Sequence, residues 1–115
     1  MEIRIQKREN VTIVSIFTQI LGRNDFEQIH DALNDVLVYH SKNIIMDLKG
    51  VKLINSIGIG ILMSSWTHII NAGGRMIVLC NSNKILEILS LCEIDQIIPI
   101  YSTLADAMSK LKESS

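Results

Sequence analysis

The chain has 115 residues, 48% of them hydrophobic and 20% charged, a balance that excludes a disordered chain and suits one packed domain spanning 1–115. Eleven Lys and Arg against twelve Asp and Glu leave a net charge of −1, which excludes the basic footprint of a nucleic-acid binder and a polybasic membrane anchor. Two cysteines, Cys80 and Cys92, are too few for a disulfide framework and read as small buried apolar side chains in a reducing compartment.

Ile3-Arg4-Ile5-Gln6 alternates apolar and polar residues, as a half-exposed strand does. Glu9-Asn10 marks a turn, and the β-branched run from Val11 to Phe17 reads as its hairpin partner. Gly22, Asn24 and Asp25 mark the next turn, with Asn24 or Asp25 as helix cap. Phe26, Ile29, Leu33, Val36 and Leu37 recur at helical spacing and predict a first helix to about Tyr39.

Asn43 to Leu48 is an almost wholly apolar run, suited to a strand buried on both faces of a parallel sheet. Lys49-Gly50-Val51 is expected to turn the chain, and a second helix to run from about Ile57 to Ala72. Gly73-Gly74 stops that helix, because glycine takes the left-handed position past a helix end at little cost. Met76 to Cys80 is another buried strand. Asn81 to Asn83 offers a cap for a third helix carrying Ile85, Leu86, Leu89 and Leu91. Gln96 to Ile100 reads as a short strand, with Pro99 suited to its end. Ser102 or Thr103 caps a last helix, and 113–115 reads as a loose tail. The fold class is therefore α/β: a mixed, mostly parallel sheet of four to five strands, an N-terminal β-hairpin and about four helices.

The uncharged stretch between Lys52 and Arg75 carries Asn, Ser, Thr and His throughout. It is amphipathic rather than a 20-residue apolar span, so no membrane insertion is expected. The N-terminal residues hold no apolar signal core, and the expected location is the cytoplasm.

Enzyme constellations are missing. Gly58-Ile59-Gly60 lacks the third glycine of a dinucleotide fingerprint, and there is no phosphate-binding lysine motif. His30, His40 and His68 are not spaced as metal ligands and read as surface or helix-end residues. Ser56 lacks the glycine-flanked setting of a nucleophile elbow. We expect no catalytic residues, no metal and no cofactor. Ser56 has a simpler role available as the N-cap of the second helix, and Gly58 and Gly60 suit close packing of helix on sheet.

The informative stretch is Asp47-Leu48-x-x-Val51-x-x-Ile54-Asn55-Ser56-Ile57-Gly58-Ile59-Gly60. It leads from a buried parallel strand into a helix, where open α/β sheets place their sites. It resembles the signature loop of STAS domains, the family of anti-sigma factor antagonists, whose form reads Asp-Leu-Ser-x-Val-x-x-Ile-Asp-Ser-Ser-Gly-Leu-Gly. The order and spacing of the other elements extend the resemblance over nearly the whole chain. It implies a regulatory binding protein rather than an enzyme. Its partners would be an anti-sigma factor serine kinase, bound while Ser56 is unphosphorylated and released on phosphorylation, and a serine phosphatase that resets the switch. The family aspartate is Asn55 here, and the following small residue is Ile57. These departures keep open a second role as a constitutive scaffold or accessory subunit without a phosphoswitch. A small-ligand sensor using the strand ends ranks behind both.

On a wheel of the second helix, Leu62, Met63, Trp66, Ile69 and Ile70 share one face. The opposite face is polar but uncharged, and depletion of charge is a feature of interface cores. Ile57, Ile61, Ser64 and His68 are therefore expected to extend the Asn55, Ser56 and Gly58 loop into a partner surface, the alternative being that this face packs under the first or third helix.

Overall fold

A computed structural model describes residues 1–113. The elements in chain order are β1 (Glu2–Arg8), β2 (Val11–Leu21), α1 (Phe26–Tyr39), β3 (Asn43–Ile54), α2 (Ser56–Asn71), β4 (Arg75–Leu79), α3 (Asn83–Leu91), a 3-10 turn (Ile94–Gln96), β5 (Ile100–Tyr101) and α4 (Leu104–Glu113). The five strands lie in sequence order, β1 antiparallel to β2 and the rest parallel. This is the mixed sheet with an N-terminal hairpin and four helices that the sequence pattern implies. Of the expected tail, residues 114–115 lie outside the described residues, and Glu113 closes α4.

The strand period of two sorts the core. Val14 and Ile16 of β2, Ile44, Met46 and Leu48 of β3, and Met76 and Val78 of β4 face α1, α2 and α3. The alternate residues Val11, Ile13, Ile45, Ile77 and Leu79 face Ala107 and Leu111 of α4. Burial on both faces explains why β3 and β4 read as unbroken apolar runs.

Three expectations are corrected. Lys49-Gly50-Val51 does not turn the chain, because β3 runs straight through it to Ile54, paired with a β2 that extends to Leu21. An irregularity in register between Ser15 and Phe17 accommodates the extension. At its centre a Cβ on Gly50 would stand 2.4 Å from the Phe17 ring, so the glycine is a packing gap rather than a turn residue. Gln96 belongs to the 3-10 turn, and β5 keeps only Ile100 and Tyr101. Cys80 is buried as expected, but Cys92 is exposed just past α3, and Leu91 beside it is 77% exposed.

The helix ends follow their chemistry. Ser82 accepts from the Ile85 amide and Thr103 from the Asp106 amide, each an N-cap. Asp25 precedes α1 without capping it; its carboxylate accepts from the Gly22 and Arg23 amides instead. Gly73, with φ +81, ends α2.

Candidate functional site

The site is the junction of β2, β3 and the first turn of α2. Asn55 has extended backbone and is the N-cap of α2; its Oδ1 accepts from the Gly58 amide at 3.1 Å. Its Nδ2 donates to the Gly22 carbonyl at 3.2 Å, and its own amide donates to the Leu21 carbonyl at 3.3 Å. One side chain thus ties the end of β2 to the start of α2. The cap is Asn55 and not Ser56, a correction of the sequence expectation. The reason is backbone position: Ser56 already belongs to the helix, and the residue before it is the extended one whose side chain reaches the free N–H groups.

Two glycines make the junction possible. Gly22 has φ +138, and a Cβ there would sit 1.7 Å from Asn55 Oδ1. At Gly58 a Cβ would stand 2.2 Å from the Leu21 carbonyl oxygen. The first turn of α2 therefore lies directly against the β2 backbone. Gly60, by contrast, is exposed, and a Cβ there would meet nothing within 4 Å, so its expected packing role is not observed.

Ser56 and Ile57 project from this fixed turn. Both are exposed, Ile57 at 56%, with Leu53 at the end of β3 also 36% exposed. The Ser56 hydroxyl is accessible and is not needed for the cap. The first-turn N–H groups of a helix and its dipole stabilise a nearby anion.

Farther along α2 the expected surface is only partly exposed. Ile61 is buried at 3% and belongs to the main core cluster. His68 is half-buried; its ring stacks on that of His30 with centroids 4.6 Å apart, and its Nε2 lies 2.6 Å from Asn34 Oδ1. His30 packs in turn on Phe26 at 4.7 Å. Ser64 is half-buried. The physical reasons are the core, which takes in Ile61, and α1, whose His30 and Asn34 engage His68. The buried residues of α2 are Gly58, Ile61, Leu62, Ser65 and Ile69, a stripe turned away from the wheel's apolar centre. Ser65 is accommodated there because its hydroxyl donates to the Ile61 carbonyl at 2.7 Å. Ile70 is left 41% exposed and Trp66 half-buried.

Below the loop, the Asp47 carboxylate accepts from Ser15 Oγ at 3.0 Å and from the Lys49 amide at 2.9 Å. It steadies the β2–β3 pairing inside a strand, not at a strand end. Burial pushes the Cys80 thiol above its ordinary pKa; a contact with the Ser82 backbone opposes this, and the Asp47 charge adds to it. Also lined by this end of the sheet is an open groove of about 590 Å³, bordered by Phe17, Thr18, Arg23, Asp25 and Lys52. Among the described residues no three His, Cys, Asp or Glu side chains gather as a metal site. Nor, among them, is any helix long and apolar enough to cross a membrane.

The family model of the STAS domain matches residues 2–107. The chain belongs to the STAS domain family. Its curated relatives include a putative anti-sigma factor antagonist of Thermotoga maritima, 29% identical over 69 residues. That match takes in 60% of this STAS chain and 61% of the relative's length. Among solved structures, a putative anti-sigma factor antagonist from Thermotoga maritima superposes with a TM-score of 0.84 at 22% identity, covering 96% of this chain and 94% of that one. The Bacillus cell fate determinant SpoIIAA in its phosphorylated form gives a TM-score of 0.69 at 15% identity, with 96% and 99% covered. SpoIIAA in its unphosphorylated form gives 0.71 at 15% identity, with 96% and 98% covered. At these identities the structures establish the shared STAS fold.

Proposed function

We propose that this STAS protein is an anti-sigma factor antagonist switched at Ser56. Unphosphorylated, it binds an anti-sigma factor with kinase activity through the first turn of α2; phosphorylated, it releases that partner and frees less sigma factor for transcription. A serine phosphatase restores the binding form. The observation that carries the proposal is the exposed Ser56 at the first position of α2, on a turn held rigid by the Asn55 bonds to Gly22 and Gly58. Ile57 and Leu53 beside it supply apolar contact area. The surface proposed for the partner is thus Asn55, Ser56, Ile57 and Gly58 with Leu53; Ile61 is left out because it lies in the core, and Ser64 and His68 because they are half-buried, His68 against His30 and Asn34 of α1.

A phosphate on Ser56 brings about −1.5 to −2 charges at pH 7. The helix N-terminus tolerates that charge, so the fold stays intact. A docked partner has to desolvate it or meet it with arginine, and a charge left unmatched there weakens binding severely.

The direct test is the intact mass of the protein from its native cells, with fragment mapping, alongside binding of Ser56→Ala and Ser56→Asp to the anti-sigma factor. One phosphoryl group on Ser56, with Ser56→Asp binding weakly and Ser56→Ala well, supports the switch. An unmodified mass across growth and stress conditions overturns it. That outcome selects the second reading, a constitutive scaffold or accessory subunit. The Asn55 amide favours this alternative in one respect: its bond to the Gly22 carbonyl uses a donor that the family aspartate lacks when ionised. The loop is therefore braced without the acidic residue.

A further inference from the structure

The two edges of the sheet differ. β5 has two residues and follows Pro99, so it offers little to pair with. β1 has seven residues, and its one strand neighbour is β2. Among the described residues, no strand takes up the outer row of backbone N–H and C=O groups of β1. Ile5, at its centre, is 43% exposed. An open edge of this length is a template for another strand unless its charges oppose pairing.

We propose that β1 pairs antiparallel with β1 of a second copy of this chain, about a two-fold axis at Ile5. The two five-stranded sheets become one continuous sheet. The charges select this register. An axis perpendicular to the sheet keeps the α1, α2 and α3 layers of both copies on one side, and it places one residue of β1 opposite itself. Centred on Arg4, the two guanidinium groups face each other. Centred on Gln6, Arg4 faces Arg8 twice. Centred on Ile5, all seven residues of the strand pair and no like charges are directly opposed; the arginines meet only as diagonal neighbours. Glu2 then faces Arg8, Arg4 faces Gln6, Ile3 faces Lys7 and Ile5 faces Ile5. Opposite charges and apolar residues in direct cross-strand pairs are stabilising, and like charges are destabilising.

The second carboxylate oxygen of Glu2 suits this arrangement, since Arg4 Nε takes Oε2 at 2.8 Å within the chain. Arg4 also lies 4.8 Å over the Phe17 ring, which draws it back from the edge. Lys7 of the second copy arrives opposite Ile3, on the α1 side of the sheet. There α1 exposes Glu27, Asp31 and Asp35 at intervals of four residues, along one stripe of the helix. Ile3 and Ile5 already border a groove with Ala32, Asp35 and Val36 of α1. The paired Ile5 side chains close part of it.

Two measurements on the full chain test this. Sedimentation equilibrium from micromolar to millimolar protein should show a monomer–dimer equilibrium. Ile5→Glu should weaken it at least about tenfold by setting two carboxylates face to face. Because Ile5 is partly exposed, circular dichroism should show the variant folded, and Glu2→Arg with Arg8→Glu should restore what Glu2→Arg alone loses. The register is read by disulfide trapping in a Cys92→Ser background. Directly opposed residues have Cα atoms about 4.5–5.5 Å apart, within disulfide range. Ile5→Cys should therefore cross-link to itself, and Glu2→Cys should cross-link to Arg8→Cys but not to itself. A chain that stays monomeric throughout overturns the proposal. So does a dimer indifferent to Ile5→Glu, or one that traps Glu2→Cys with itself as readily as Ile5→Cys. Ser56→Asp should leave the equilibrium unchanged, which separates this surface from the Ser56 site.

Discussion

The first turn of α2 and its flank farther along carry similar side chains, polar or aliphatic and without charge. At the first turn, Ser56 and Ile57 face solvent while Asn55 and Gly58 are pinned to β2. On the flank, Ile61 is in the core and His68 is stacked on His30. Missing charge marks any surface that another surface covers, whether that cover is a partner protein or the neighbouring helix. On the flank the cover is the core at Ile61 and α1 at His68. At the first turn nothing among the described residues covers Ser56 and Ile57, and that end remains available to another molecule.

This contrast can be broken first at the junction. Gly22→Ala forces a side chain into a backbone conformation that favours glycine and into the Asn55 amide. It should lower unfolding free energy by about 4 kcal/mol, read by urea denaturation. Ile61→Ala should cost about 3 kcal/mol, whereas Ile57→Ala should stay within about 0.5 kcal/mol while weakening partner binding. Equal effects of the two substitutions on stability would erase the distinction between buried flank and exposed turn. Asn55→Ala removes the cap and the bond to Gly22 and should cost about 2 kcal/mol. Asn55→Asp loses the donor to the Gly22 carbonyl but keeps the Gly58 bond and gains from the helix dipole, so its loss should be smaller, at about 1 kcal/mol. Ser56→Asp should change the thermal midpoint least. A stability change within about 0.5 kcal/mol fits an exposed position at a helix start, and a large loss would mean that the switch acts by unfolding. A labelling experiment sharpens the picture without touching stability: iodoacetamide should modify exposed Cys92 and spare Cys80 until the protein unfolds, because burial both blocks that thiol and disfavours its thiolate.

The elements were legible where local chemistry is strong. The β-branched hairpin, the apolar runs of β3 and β4, the periodic α1 and the Gly73-Gly74 stop all fall where their residues place them. The misreadings occur where a distant segment decides. Lys49-Gly50-Val51 looks like a turn because it brings a charge and a glycine after an apolar run. It remains strand because β2 continues alongside and Phe17 fills the space above Gly50. Ser56 looks like a cap because serine caps helices; Asn55 takes that role because it is the extended residue before the helix, and Gly22, far away in sequence, holds the other end of its amide. Of the expected surface, Asn55, Ser56, Ile57 and Gly58 come together at one turn, while Ile61 and His68 do not join them. Leu53 was missed, and its place at the strand end just before the loop was the available signal.

Composition, periodicity and the Asp47 to Gly60 pattern determined that this chain is a mixed α/β protein of the STAS family with a serine at the start of α2, because these are properties of residues near one another in sequence. Tertiary structure decided which uncharged face is exposed, which residue caps α2, and that β1 presents an open edge. Those outcomes depend on where α1 and β2 come to lie, and no local pattern encodes the position of a distant neighbour.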